Sequence, residues 1–433
     1  MAPTIKDNLT WSSISQVATA FFGLLGSIII SRCLGPEARG IYILVITTGT
    51  VISSIFGSDS LQAALIYVNG KNIAIAEKVS TQTIWFVIIT GVVSSLILYL
   101  IPITILQKLI PSIIQEMLWV IILYSVALAY LSYIYGILTG KNEIRILSKV
   151  ILLDIFVGFS LQIIFLVFLD LGLQGALWQL VGVSVVRLLI GIKVLSGKYQ
   201  IVNFPNLNII KTLAAYSIKI YPSSIGVMFI TRIDYYLLAA LSGPSAVGIY
   251  SLAKGLAQMI DIFEYPISRA IAPSVVSENQ EQASRVISKT LRLTILLSTV
   301  VASIAAISSP WLIPLVYGEE FSGAVIPFVI LLIGMIIGTT RMLNNFFSLQ
   351  IGKPEYQTII TLVEAMVCIP IFYVLTKIWG SMGTATANTI VLTFRSIMSV
   401  TLFLKLTKLP LRSLLVNNTD IRQVLSSVFK QTS

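Results

Sequence analysis

The chain of 433 residues contains no histidine, only two cysteines and only 11% charged residues. Without histidine there is no proton relay or metal chemistry through imidazole. Cys33 and Cys368 are too few and too scattered for a disulfide framework or a metal site. No Walker-type phosphate loop occurs, which argues against ATP hydrolysis by this chain. The scarcity of charge excludes an ordinary soluble domain, in which about a quarter of residues are charged. No cofactor is expected.

Apolar length is what the chain has instead. Hydrophobic residues make up 56% of it and mean hydropathy is +0.93. About 20 apolar residues are needed for a helix to cross about 30 Å of hydrocarbon. The period-two alternation of a membrane barrel is absent. The sequence therefore reads as an all-α integral membrane protein. Twelve spans are expected near 11–31, 41–66, 80–106, 117–139, 150–169, 172–195, 214–240, 247–271, 291–309, 324–348, 357–378 and 381–404. No cleavable signal peptide is evident, so the first span should stay in place. Residues 1–195 and 213–406 read as two six-helix lobes, 196–212 as a cytoplasmic linker and 407–433 as a cytoplasmic tail.

A repeat supports the division. Gly-Pro-x-Ala-x-Gly-Ile-Tyr occurs at Gly35–Tyr42 and again at Gly243–Tyr250, 208 residues later. Gly172 and Gly175 return as Gly380 and Gly383, and Arg187 returns as Arg395, at the same offset. Gly140-Lys141-x-Glu143 returns as Gly352-Lys353-x-Glu355, shifted by 212, so the copies differ slightly in length. Six crossings return each copy to its starting side. The two lobes should then be related by a pseudo-two-fold axis along the membrane normal.

The net charge of +11 follows from topology. Eighteen of the 29 basic residues fall on the side of the termini and four on the other, among them Arg32 and Arg39. Positive charge stays inside, so both termini are expected in the cytoplasm. The remaining basic charge suits lipid headgroups. With no soluble basic domain, nucleic acid is not an expected partner.

Seven bases and six acids fall inside expected spans. Each costs about 2.5–3.5 kcal/mol at the bilayer centre, so such residues face a watery cavity or pair with each other. Snorkelling to headgroups accounts for Arg187 and Arg395, and Asp154 reads as a partner of Lys149. Lys219 and Asp59 lie near a span end. In the eighth span, Lys254, Gln258, Asp261, Tyr265 and Ser268 share one helical face over roughly 21 Å. Glu264 borders that stripe, which suits a cavity lining or a polar partner helix. The small polar face of the first span, including Thr19, Gly23, Gly26 and Ser27, suits cavity lining or close packing equally. Arg232 and Asp234 point about 200° apart and should have different partners. Arg341 is an anion-binding candidate. Tyr130, Tyr133 and Tyr135 could stack sugars, though core packing is the commoner use. Glu364 could carry a proton or bind Na⁺, or simply pair with Arg341. Pro222, Pro266 and Pro370 permit bends within spans.

Ser31-Arg32-Cys33-Leu34-Gly35-Pro36, with Gly40 and Tyr42, resembles the start of Wzx-type polysaccharide flippases. These belong to the multidrug/oligosaccharidyl-lipid/polysaccharide exporter (MOP) superfamily. Leu241-Ser242-Gly243-Pro244 with Gly248 and Tyr250 is similar to the family's second-half counterpart, and Arg232-x-Asp234 is similar too. The resemblance implies a MATE-like V of two lobes around a central cavity. It implies transfer of undecaprenyl-diphosphate-linked oligosaccharide across the bacterial inner membrane for surface polysaccharide synthesis, beside other glycan-assembly proteins. On that reading Arg32, Arg232, Lys254 and Arg341 would hold the diphosphate. Gln258, Tyr130 and Tyr133 would meet the sugars. Asp261, Glu264 or Glu364 would couple transport to H⁺ or Na⁺. A multidrug cation antiporter shares the resembled fold but would prefer an acidic cavity. A glycan polymerase or ligase would need a sizeable outer loop, which the sequence lacks. A scaffold within a glycan-assembly complex would tolerate loss of Arg232, Lys254 and Arg341.

Overall fold

The structure, a computed structural model, describes residues 5–71, 85, 92, 114–196, 207–261, 264, 267, 271, 275, 279–353 and 355–417. The described residues are almost entirely helical. The long helices are α1 (Ile5–Ile55), α2 (Ser58–Lys71), α3 (Ile114–Gly140), α4 (Ile144–Gln162) and α5 (Gly172–Ser196). They continue with α6 (Leu207–Ala257), α7 (Gln280–Tyr317), α8 (Val325–Gly338) and α9 (Glu355–Thr407). Eight helical segments among the described residues are long and apolar enough to cross a membrane. Large side chains such as Phe168, Trp311 and Leu315 point outward, as a lipid-facing surface requires.

Helices α1, α6 and α9 run for 51, 51 and 53 residues, about twice what a bilayer needs. Each is broken at one glycine with positive φ: Gly35, Gly243 and Gly380. Each of the three therefore consists of two helical arms. The expected third span, 80–106, lies almost wholly outside the described residues.

The repeated motif now has a backbone meaning. Gly35 sits at φ 68°, ψ −179° and Gly243 at φ 82°, ψ 175°. Essentially only glycine occupies that region. The proline that follows each opens the next helix, where its fixed φ fits and its missing N–H costs nothing. The expected loop at 32–40 is therefore a one-residue break between two helical arms. Gly172 and Gly380, also 208 apart, take φ 53° and 55° at helix junctions. Gly175 and Gly383 follow, where an added Cβ would meet the carbonyls of Phe165 and Leu375 at 2.7 and 1.9 Å. Pro222 and Pro370 lie within continuous helix, so the sharp breaks are made by glycine.

The turns before α4 and α9 have their left-handed residues at Asn142 and Gly352, 210 apart. The two Gly-Lys-x-Glu runs, 212 apart, thus occupy different places in their turns. The offset falls from 210 to 208 by Gly172. Between Asn142 and Gly172 the first copy has two extra residues, and there the chain forms a π-helical segment, Ile163–Phe168. A π-bulge is how a helix takes in added residues without breaking.

The chain divides into two compact units, Met1–Gly248 and Ile249–Ser433. The first has a core that includes Leu65, Tyr130, Tyr133, Ile134, Ile137 and Leu213. The second has a core that includes Leu291, Leu343, Phe346, Phe347 and Phe403.

Candidate functional site

Within the first unit, α1, α3, α4 and α5 border an open, largely apolar cavity of about 380 Å³ into which several polar groups project. Thr19, Gly23, Gly26 and Ser27 line it, so the small polar face of the first span does border a cavity. Gln162 closes over that face and donates to the Gly26 carbonyl at 2.5 Å. Arg187 also lines the cavity and does not snorkel. Its Nε and Nη2 donate to Asp154 Oδ1 and Oδ2 at 2.9 and 3.1 Å, a two-pronged pair between α5 and α4. Its guanidinium carbon lies 5.4 Å from the Tyr124 ring centre. Asp154 thus belongs to Arg187 rather than to Lys149. Arg39 is not a loop residue. It is 5% exposed and reaches back past the Gly35 break to the Ser27 carbonyl and the Ser31 hydroxyl, at 3.0 and 2.6 Å. Tyr42 of the repeat donates to Gln179 at 3.0 Å across the same space.

A second cavity in the first unit, about 310 Å³, lies between the end of α1, the start of α2 and the early part of α6. Its polar lining is Thr50, Ser54, Asp59, Ser223, Ser224, Thr231 and Arg232. Ser54 donates to Asp59 Oδ2 at 2.8 Å. Arg232 is half-buried and forms no ion pair within 4 Å among the described residues. Asp234 is fully buried, and the backbone N–H of Tyr235 donates to it at 2.9 Å.

In the second unit, Arg341 gathers the acids of the eighth span. Its Nε donates to Glu264 Oε1 and Oε2 at 2.8 and 3.0 Å, and its Nη2 donates to Glu264 Oε2 at 2.7 Å and to Asp261. Both elements tighten locally: Gln258–Ile260 and Thr339–Met342 are 3₁₀ turns, a feature often found at working points of helices. Arg341 is thus neutralised by two carboxylates. Lys254 is buried with its ammonium 5.8 Å from the Tyr250 ring centre, whereas Gln258 is exposed. The upper part of the expected stripe therefore has mixed exposure, and Tyr265 and Ser268 lie outside the described residues. Glu364 pairs with Arg395, not Arg341, at 3.8 Å.

Two sequence expectations change. Tyr130 and Tyr133 are 3% and 0% exposed within the first core. The Tyr130 ring lies where a Cβ on Gly191 would be, 2.2 Å away, so both tyrosines are packing groups rather than a sugar platform. Arg32 is exposed on α1 beside the break and lines neither cavity.

Long glycine-jointed helices around buried arginine–carboxylate pairs define a multi-pass membrane protein with a transporter fold. The chain belongs to the polysaccharide biosynthesis protein family, whose profile matches residues 5–277. No curated protein matches it in sequence. Its structure is similar to an inward-facing multidrug resistance MATE family transporter of the MOP superfamily, with a TM-score of 0.68 and 16% identity. That likeness covers 92% of this chain and 98% of the other. It is similar to a Vibrio cholerae MATE transporter, VcmN, with a TM-score of 0.65 and 16% identity over 92% and 95% of the two chains. A Pyrococcus furiosus MOP superfamily transporter, described as having a binding pocket of reverse polarity that suggests a different function, matches with a TM-score of 0.63. Identity there is 16%, over 93% of this chain and 96% of that one. These likenesses establish the fold.

Proposed function

We propose that the protein moves a lipid-linked oligosaccharide, carried on undecaprenyl diphosphate, from the cytoplasmic to the outer leaflet of a bacterial inner membrane. Both termini face the cytoplasm in this reading, and lobe movement exposes the binding region to each side in turn. An ion gradient drives the cycle. The observation that carries the proposal is Arg232: a guanidinium with no ion pair among the described residues, in a cavity whose other polar groups are five hydroxyls and the single carboxylate of Asp59. An arginine fork matches the oxygens of a phosphate with two hydrogen bonds at once. Hydroxyls of Thr50, Ser54, Ser223 and Ser224 replace water around phosphate or sugar without adding charge. A volume of about 310 Å³ lies at the low end of small-ligand sites, enough for the charged head but not a long glycan. The polyprenyl tail stays in lipid.

Membership of a polysaccharide biosynthesis family supports this cargo. The Pyrococcus furiosus relative suggests that pocket polarity separates cargoes on this fold. A cationic-drug antiporter is the second reading, favoured by Asp59 in the same cavity. The test is reconstitution of the purified protein with a fluorescent polyprenyl-diphosphate sugar. The proposal expects leaflet exchange that falls sharply in Arg232→Gln. Exchange unchanged in that variant, or efflux of cationic drugs without exchange, overturns it.

A further inference from the structure

We infer that Glu364 is a proton-binding site, held between an ionised state paired with Arg395 and a neutral state in which that pair is open. The argument starts from position. Glu364 lies inside α9, is 1% exposed, and neither carboxyl oxygen has a hydrogen-bond partner among the described residues. Among the described residues its one ion-pair partner is Arg395, at 3.8 Å, beyond hydrogen-bond reach. An ionised carboxylate there would lack both water and donors, an expensive state for a buried charge. One proton on either oxygen removes the charge and leaves an O–H that can donate.

The charges around it lead to the same place. Among the described residues, the cluster holds three carboxylates (Asp261, Glu264 and Glu364) and two guanidiniums (Arg341 and Arg395). Fully ionised, it would carry one unbalanced negative charge. Arg341 is committed to Asp261 and Glu264, and Arg395 is within electrostatic reach of Glu264 as well. One proton balances the set, and Glu364 is the carboxyl without a donor to receive it. The neighbouring elements offer little competition. Helix α8 and residues 343–350 bring no titratable side chain, α7 has its titratable groups, Glu281, Arg285, Lys289, Arg292 and Tyr317, in its first third and at its last residue, and Lys254 at the end of α6 lies about two turns before Asp261. On α9, Cys368 lies one turn from Glu364 with its thiol donating to the Ala365 carbonyl, and Glu355, Tyr356, Tyr373, Lys377 and Lys405 lie more than two turns away.

The first unit provides an internal control. Asp154 is the repeat counterpart of Glu364, and Arg187 that of Arg395. There the pair is closed by two hydrogen bonds of 2.9 and 3.1 Å. The same pair of positions therefore holds a hydrogen-bonded ion pair in one unit and a longer one, at 3.8 Å, in the other. The step balances simply: a proton from water forms an O–H bond on Glu364, and the carboxylate charge that attracted Arg395 disappears. Loss of the proton restores the charge and draws Arg395 in.

The site does not depend on the cargo, but its use to drive transport rests on the function proposed above. The test is difference infrared spectroscopy of the full protein in lipid, titrated with acid and base. A protonated-carboxyl C=O band should rise and fall with pH, vanish in Glu364→Gln, shift in Glu364→Asp, and persist in Asp261→Asn. In the exchange assay, a pH gradient should accelerate the wild type but not Glu364→Gln. A band indifferent to Glu364→Gln, or one displaced by Na⁺ at constant pH, overturns the proton site. If the band behaves as expected but no polyprenyl-diphosphate sugar moves, the proton site stands and the cargo assignment fails.

Discussion

Gly40 and Gly248 each lie against the carbonyl of the proline that precedes the other by four residues. A Cβ added to Gly40 would sit 1.8 Å from the oxygen of Pro244, and one added to Gly248 would sit 1.9 Å from that of Pro36. The two copies of the motif therefore touch each other, backbone to backbone, in a self-complementary crossing. No side chain can give way there. Gly40→Ala or Gly248→Ala forces the helices apart, with an expected cost of about 1–3 kcal/mol each. Because either change relieves the other, the double variant should cost less than the two single costs together. Thermal denaturation in detergent reads all three. Independent, additive losses would show that the crossing does not act as a unit.

The closed pair of the first unit should dominate local stability. Arg187→Ala leaves Asp154 buried without its partner, which typically costs about 3–5 kcal/mol. Replacing both with leucine should recover much of that loss, because the carboxylate is then no longer stranded. The melting temperatures of the single and double variants measure the difference.

Arg232 should behave oppositely. It is half-buried and has no ion pair among the described residues, so Arg232→Gln should leave the melting temperature nearly unchanged while abolishing most leaflet exchange. Arg232→Lys keeps the charge but loses the two-pronged fork, so it should retain partial exchange. A large stability loss in Arg232→Gln would mean that the arginine is structural.

Tyr130 tests the packing assignment. Its hydroxyl is buried without a hydrogen-bond partner among the described residues. Tyr130→Phe should therefore be neutral or slightly stabilising and should retain exchange. Tyr130→Ala should cost about 3–5 kcal/mol by leaving a cavity against Gly191. If exchange fell in Tyr130→Phe at unchanged stability, the hydroxyl would contact cargo after all.

Composition and run length were enough to read an all-helical membrane protein, because hydrocarbon imposes span length directly on sequence. The repeat was legible for the same reason that it is structural. Gly35, Pro36 and Gly40 are each fixed by backbone geometry, and their copies meet the same demands. Side-chain partners were harder to read. Arg187 finds Asp154 across 33 positions, and no local spacing announces a pair between two helices. Arg39 looked like a loop cation because a Gly-Pro break resembles a turn, whereas the chain resumes as helix at once. Tyr130 and Tyr133 looked available because an all-apolar helix has no polar face to indicate which side is buried. A pattern was nonetheless available for the arginine pairs: an acid lies 33 residues before Arg187 and another 31 before Arg395.

The joints at Gly35 and Gly380 are each one residue long. Neither hairpin has slack, so a tilt of one arm is delivered to its neighbour undiminished, as in a bent crowbar. Lengthening either joint with an inserted flexible peptide would uncouple the arms, leaving each still embedded in lipid but no longer able to push the other.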